Sequence, residues 1–316
     1  NGLTGNFDRP GGQIPEQSTF YDMPAGFRMY EHEYYLDVQP DRKHDAVGCR
    51  KFPLWSKFMD EMQAMDLSRQ ILEETPYPIK AVYGAGMNMK IFPDTKKMAE
   101  ALKSLDFFVD VDLFMTSTAK YADIVLPACT SYERGEFKAY IGGYATYTKP
   151  VIEPLYQSKS DVQILKELAD VMELDDELLR QGYDAEINYM IRDLSFTIDD
   201  LKASDLPIKV KEAREAEPGE FTKNGMGTPT GKFEFYSNYI AEFKDMGLSP
   251  IPTYSGTLDD EDMDRKEYPF ILVTGSRLPN AIHSRIHNLA WARSLRKDPM
   301  VDLNLEDARD MGIEKG

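Results

Sequence analysis

The stretch from Asp106 to Pro127 constrains the fold most. It reads Asp-Phe-Phe-Val-Asp-Val-Asp-Leu-Phe-Met-Thr-Ser-Thr-Ala-Lys-Tyr-Ala-Asp-Ile-Val-Leu-Pro. Two short apolar runs, 107–111 and 124–126, have the length and the β-branched or aromatic content of buried strands. Between them stand Asp112, Thr116 and Thr118, small polar residues at a strand exit. Ligands bind at the carboxyl ends of strands in a parallel α/β sheet. The stretch therefore reads as strand, ligand loop, short helix and strand. A second reading stays open, in which Asp112 caps a helix beginning near Thr116.

The preceding residues extend this pattern. Residues 79–83 read as a short strand, followed by Gly84, Ala85, Gly86, Met87 and Asn88. Glycines at a strand exit let a phosphate or a ligand backbone come close, and an ordinary turn explains them as well. Residues 94–104 read as a crossover helix. Strand, helix and strand over about thirty residues make a right-handed βαβ unit. Further upstream, residues 55–73 have near-helical apolar spacing, with Met59, Met62 and Met65 as gap-filling core. Pro76 and Pro78 end that helix. Residues 1–50 are rich in Gly, Pro, Tyr and Asp and read as an irregular segment over a core built elsewhere.

Downstream, Arg134 is flanked by Glu133 and Glu136. It is either a surface ion pair or a phosphate or ribose contact. Residues 158–171 read as a helix capped by Ser160 or Asp161, with Val162, Ile164, Leu165, Leu168 and Val171 turned inward. Residues 173–223 read as a solvated, charged face of helices and loops. Residues 226–236 read as a turn and an edge strand, and 255–267 as an acidic linker.

The character then changes. Tyr268 to Lys297 holds no acidic residue, where the chain average predicts about five. Residues 270–273 read as a strand running into Thr274, Gly275, Ser276 and Arg277, with His283 and Ser284 close behind. In a chain of net charge −17, a local basic strand exit suggests a buried anion held by close donors. A solvent-exposed basic helix face accounts for Arg293 and Arg296, less readily for Arg277 in its glycine turn.

Charge and composition exclude several classes. A net charge of −17 argues against a general nucleic-acid binder or an anionic membrane surface as partner. No apolar run approaches the ~20 residues of a membrane span. The loop-like opening, Asn1 to Gly5, does not read as a signal peptide and fits a processed protein or an internal fragment. The two cysteines, Cys49 and Cys129, read as reduced, partly buried thiols, excluding a thiolate-held cluster built from this chain alone. His283 and His287 lack the glutamate of a zinc-protease signature, so no metal ligand is expected.

Taken in order, several pieces form a set. They are Asp112 with Thr116, Thr118, Ala119, Ala122, Asp123 and Pro127; then Glu133; then Lys159, Ser160 and Asp161. After these come Thr228 to Glu234, then Thr274 to Arg277 with His283 and Ser284, and finally Asp307, Ala308, Gly312 and Ile313. The set resembles the molybdopterin oxidoreductases of the dimethyl sulfoxide reductase family across nearly the whole chain. Residues 76–80 and 274–284 are similar to the branch holding acetylene hydratase, pyrogallol transhydroxylase and catechol dehydroxylases, with polysulfide reductases nearby.

The resemblance implies a C-terminal-half fragment of a catalytic subunit carrying molybdenum on two molybdopterin guanine dinucleotides. It places a 4Fe-4S cluster and the molybdenum ligand upstream, so no catalytic residue is assigned. It implies cofactor contacts at Asn88, Asp112, Thr116, Arg134, Asp161, Thr274, Gly275, Ser276, Arg277, His283 and Ser284. The expected fold is α/β: an irregular and helical segment over 1–75, a parallel-sheet dinucleotide-binding domain over 76–175, a helical insertion over 176–267, and the start of a β-barrel domain over 268–316. The implied activity is anaerobic removal of oxygen or hydroxyl from a small molecule, fed by an iron–sulfur electron-transfer subunit. The alternatives are a non-redox hydratase or transhydroxylase on the same cofactor, and a dinucleotide-binding module without chemistry. The compartment is left open between the bacterial cytoplasm and its exported face.

Overall fold

A computed structural model describes residues 1–14, 45–59, 62–140, 143–210, 217–254, 269–273, 289–295 and 300–314. The chain divides into two units, Asn1–Thr253 and Tyr254–Gly316. In chain order, the first unit opens with α1 (Pro53–Met59), α2 (Leu67–Glu73) and β1 (Ala81–Ala85). Then come α3 (Thr95–Ser104), β2 (Phe107–Asp112), β3 (Ile124–Pro127), β4 (Glu136–Tyr140) and β5 (Tyr144–Thr148). The helices α4 (Asp161–Val171), α5 (Glu177–Gln181), α6 (Tyr183–Met190) and α7 (Ile198–Ala203) follow. It ends with β6 (Ile208–Lys209), α8 (Glu220–Asn224) and α9 (Asn238–Ala241).

The expected parallel sheet is present. Its order is β1-β2-β3, both pairings are parallel, and Gly84 registers with Asp110, which registers with Val125. The crossover helix α3 is capped by the Asp94 carboxylate, which accepts from the Lys97 amide at 3.0 Å. Its inward residues Met98, Ala101 and Leu102 bury against Phe108 of β2. Burying each of the three larger side chains contributes about 1.5–3 kcal/mol.

Several expectations are corrected. Residues 55–73 are not one helix: α1 ends at Met59, a 3-10 turn spans Ala64–Asp66, and α2 starts at Leu67. The break has a local cause. Gln63 is extended, its amide donates to the Val47 carbonyl at 2.8 Å, and its side chain accepts from Met65. On α4, Ile164 and Ala169 are buried, whereas Leu165, Leu168 and Val171, expected to turn inward, are exposed. Residues 233–236 make no strand; Phe233 instead packs edge-on against Phe7 with centroids 5.2 Å apart. Residues 270–273 also make no strand among the described residues.

Residues 173–223 hide a core that their charge concealed. Ile187 and Ile191, with Phe196, Ile198 and Leu201, enclose Ala145 of β5. That core seats the antiparallel β4-β5-β6 sheet. Tyr147 lies over Gly135, just before β4: a Cβ there would stand 1.7 Å from the Tyr147 hydroxyl and would force that ring to move. The amino-terminal turn is tied in by Asp8. Its carboxylate accepts from the Gly219 amide at 3.0 Å, the Thr222 amide at 2.6 Å and the Thr222 hydroxyl at 2.7 Å.

The described residues of the second unit hold two short helices, α10 (Ala290–Arg293) and α11 (Leu305–Asp310). Asn304 caps α11 through the Glu306 amide at 2.8 Å. The linker expected at 255–267 and His287 lie outside the described residues, and of the stretch 268–316 expected to begin a barrel the described residues hold no strand.

Candidate functional site

The carboxyl edge of the parallel sheet gathers three loops and one helix start. The loop leaving β1 turns at Gly86, which has φ +61 and open space where a Cβ would stand. Its amide donates to the Val111 carbonyl at 2.8 Å, so the ladder runs to the sheet's lip. Asn88 then caps the 3-10 turn Met89–Ile91, accepting from the Lys90 amide at 3.1 Å. The Met89 amide donates to the buried Thr118 hydroxyl at 3.0 Å. That bond fastens the β1 loop to the β2 loop across 29 residues. Thr118 is thereby a joint between the loops.

Asp112 ends β2, and its carboxylate accepts from the next amide, Leu113, at 2.6 Å. It does not cap a helix near Thr116: the short helix is a 3-10 turn at Ala119–Tyr121. Thr116 supports that turn instead, its hydroxyl oxygen accepting from the Ala119 amide at 3.1 Å. The Thr116 hydroxyl proton is left free to donate outward.

After β3 the lip is widened by Lys159, which bridges Ala128 in parallel. Its carbonyl accepts from the Cys129 amide at 2.8 Å, and its amide donates to the Pro127 carbonyl at 3.1 Å. Helix α4 therefore begins at the lip. Ser160 caps it through the Gln163 amide at 3.2 Å, and Asp161 is its first residue.

Arg134 and Asp161 meet. The guanidinium donates to Asp161 at 2.6 Å and is 2.8 Å from Glu136. Both open readings of Arg134 share this geometry, since a paired guanidinium can still face a ligand. Burial and the negative charge of Asp161 raise the Tyr83 phenol pKa above its usual range. The lip thus joins β1, the Arg134 loop and the start of α4.

Two buried carboxyls here escaped the sequence reading as site elements. Glu133 accepts from the Thr130 amide at 2.8 Å and hydroxyl at 2.7 Å, the Leu155 amide at 2.7 Å and the Ser158 hydroxyl at 3.0 Å. Those donors hold its pKa down at about 2, the Thr130 hydroxyl contributing most. It latches the loop that presents Arg134. Asp110 is the opposite case. It is fully buried, and neither oxygen has a hydrogen-bond partner among the described residues. Burial, and secondarily the charge of Asp112, push its pKa up to about 6. Its Oδ1 lies 3.3 Å from the point where a Gly84 Cβ would stand, so the carboxyl sits against β1 at its paired residue. Alternation along β2 put Asp110 on the Phe108 face, and that signal was readable.

Thr274, Gly275, Ser276, Arg277, His283 and Ser284 lie outside the described residues. No group of three or more potential metal ligands occurs among the described residues. Cys49 and Cys129 are free thiols, the first half-buried and the second buried. A cavity of about 570 Å³, lined by Phe7, Phe233, Phe235, Tyr239 and Pro250 among others, is separate from the lip. No helix among the described residues is long and apolar enough to cross a membrane.

The chain is similar to known proteins. Residues 60–171 match the family model described as molybdopterin oxidoreductase. The chain is 33% identical over 79% of its length to the probable oxidoreductase YoaE of Bacillus subtilis, covering 36% of that protein. It is 30% identical over 86% of its length to the acetylene hydratase of Syntrophotalea acetylenica, covering 37% of it. The solved acetylene hydratase from Pelobacter acetylenicus superposes with a TM-score of 0.66 at 27% identity, over 81% of this chain and 35% of that one. The chain thus spans just over a third of these relatives.

Proposed function

On the premise that residues 60–171 are a molybdopterin oxidoreductase domain, in a chain homologous to dimethyl sulfoxide reductase-family molybdoenzymes, we propose that the sheet lip holds the nucleotide end of a molybdopterin guanine dinucleotide. The chain is then part of the catalytic subunit of a molybdenum enzyme. One observation carries the reading: Asp112 and Asp161 stand at neighbouring exits of one parallel sheet, beside a glycine turn with open space above it.

The donor set fits the group. Carboxylates accept paired N–H donors from a guanine edge or hydroxyls from a ribose. The Thr116 hydroxyl and the open backbone at Gly86 suit a phosphate. Arg134 orients Asp161, and Glu133 holds Arg134 in place. Among residues carried by the resemblance alone, Thr274 to Arg277 with His283 and Ser284 would meet pyrophosphate and pterin. Bound there, the cofactor supplies the redox chemistry, and the protein supplies position and electrostatics. A second dinucleotide and a 4Fe-4S cluster belong to the same reading, through protein beyond these residues.

For the whole enzyme we infer anaerobic reduction of a small molecule, with electrons from an iron–sulfur partner. A non-redox reading is favoured by one finding, the likeness to acetylene hydratase in both sequence and structure. Turnover that requires a reductant such as reduced viologen supports the first; turnover without one supports the second. The cofactor assignment is tested by Asp112→Ala in the full-length protein. Molybdenum and guanine nucleotide content should both fall while the melting temperature holds, through loss of a charge-assisted contact of about 1.5–3 kcal/mol. Wild-type content of both would refute the site.

A further inference from the structure

The cavity away from the sheet lip draws its walls from three stretches distant in sequence: the amino-terminal turn with Phe7, residues 226–235, and the start of α9 with residues 249–252. All of them lie in the first unit. Each stretch is held by its own bonds. Asp8 ties the first to α8. The second closes on itself: the Met226 amide donates to the Gly231 carbonyl at 2.9 Å, and the Gly231 amide donates to the Thr228 carbonyl at 2.9 Å. The Ser237 amide donates to the Pro250 carbonyl at 2.8 Å, setting α9 against the third stretch. Folding therefore shapes the cavity. Its volume of about 570 Å³ falls among small-molecule pockets, which run about 300–1,000 Å³.

Its chemistry is aromatic with a single charge. The rings of Phe7, Phe233, Phe235 and Tyr239 line it. Phe233 packs with its centroid 5.2 Å from that of Phe7 and 5.2 Å from that of Phe235. The rings are not sunk in a core: Phe233 is 42% exposed, Phe235 46% and Tyr239 47%. Among the described residues of the lining, Glu234 alone is charged. One of its oxygens accepts from the Thr230 amide at 2.9 Å, and the other has no hydrogen-bond donor or basic partner among the described residues. Nearby hydroxyls are spent on local turns, Thr228 donating to the Lys232 carbonyl at 2.6 Å and Ser249 to the Ile251 carbonyl at 2.7 Å. A neutral apolar guest would strip water from the carboxylate and return nothing. An anion would be repelled, and a hard metal ion needs more oxygen ligands than one carboxylate offers. An organic cation meets both demands, pairing with Glu234 and lying against rings whose faces attract ammonium groups. The net charge of −17 raises the local concentration of such ions.

We propose that this cavity is a binding site for a small organic ammonium ion, with the Glu234 carboxylate as counter-ion and the aromatic rings as walls. It shares no residue with the lip and does not depend on which cofactor the lip holds. The test is calorimetric titration of the full-length protein with choline and, separately, with dimethylbutanol, the uncharged isostere in which carbon replaces the ammonium nitrogen. Choline should bind saturably, about tenfold or more tightly than the isostere. Glu234→Gln keeps the acceptor for the Thr230 amide and removes the charge. Phe235→Leu keeps an apolar side chain and removes a ring. Each should weaken choline binding about tenfold while the melting temperature holds. The comparison of the two ligands on the wild type stands whatever the variants do to folding. No saturable choline binding into the millimolar range, equal affinity for choline and its isostere, or wild-type affinity in either folded variant would overturn the site.

Discussion

Glu133 and Asp110 are both buried carboxyls near the same sheet lip, and they lead opposite lives. Glu133 lies in the loop after β3 and receives four hydrogen bonds. Asp110 lies within β2 and receives none from the described residues. The first is held at about 2 and the second rises to about 6. Burial alone therefore does not set a carboxyl's character; the supply of donors does. The loop after β3 is built to be fixed. Strand β2 carries a carboxyl that no described residue satisfies.

The comparison breaks first at Glu133. Glu133→Ala strands the Thr130 and Leu155 amides and frees the loop carrying Arg134. It should give the largest fall in melting temperature of any variant here, with new proteolytic cleavage between residues 128 and 158. In the wild type, the depressed pKa means that the stability Glu133 supplies is complete above the ordinary carboxylate range. It is lost as pH falls toward about 2.

Asp110 should show the reverse sign. Its raised pKa subtracts stability, not at all below about pH 4 and increasingly from pH 4 to 6. At neutral pH the loss is roughly 3 kcal/mol. Asp110→Asn should gain on the wild type across that window in thermal melts of the full-length protein, then run parallel above it. A constant offset at every pH would mean that Asp110 has a partner.

Thr118→Val keeps the shape but removes the acceptor for the Met89 amide, leaving a buried donor at a cost of about 1–3 kcal/mol. Hydrogen exchange at Met89 should accelerate, and that of β3 should not. The smallest effect belongs to Asp161→Asn. Its pair with Arg134 is partly exposed, so about 1 kcal/mol or less is at stake, shrinking further in high salt.

Much of the fold was legible because local chemistry and tertiary packing agreed. The βαβ unit showed in its apolar runs, in Asp94 and in the spacing of α3. The α4 start showed in Ser160. What failed to show depended on distant partners. The core around Ile187 and Ile198 sat among charged residues whose apolar neighbours are short and scattered. The break after α1 depends on Val47, 16 residues from Gln63 in the chain. Residues 233–236 alternate like a strand, yet the ring of Phe7 meets Phe233. At the lip, Asn88, Asp112 and Thr116 were readable as exit-loop residues, and the meeting of Arg134 with Asp161 was not. The solitude of Asp110 was hidden because two aspartates two apart in a strand look alike until one is covered.

The bond from the Met89 amide to Thr118 has a further consequence. It makes the first two exit loops a single pre-shaped jaw, so their ordering is completed when the chain folds. A ligand arriving at the lip would meet a surface already in its receiving form. Its association should then be limited by encounter, with little heat-capacity change from loop closure.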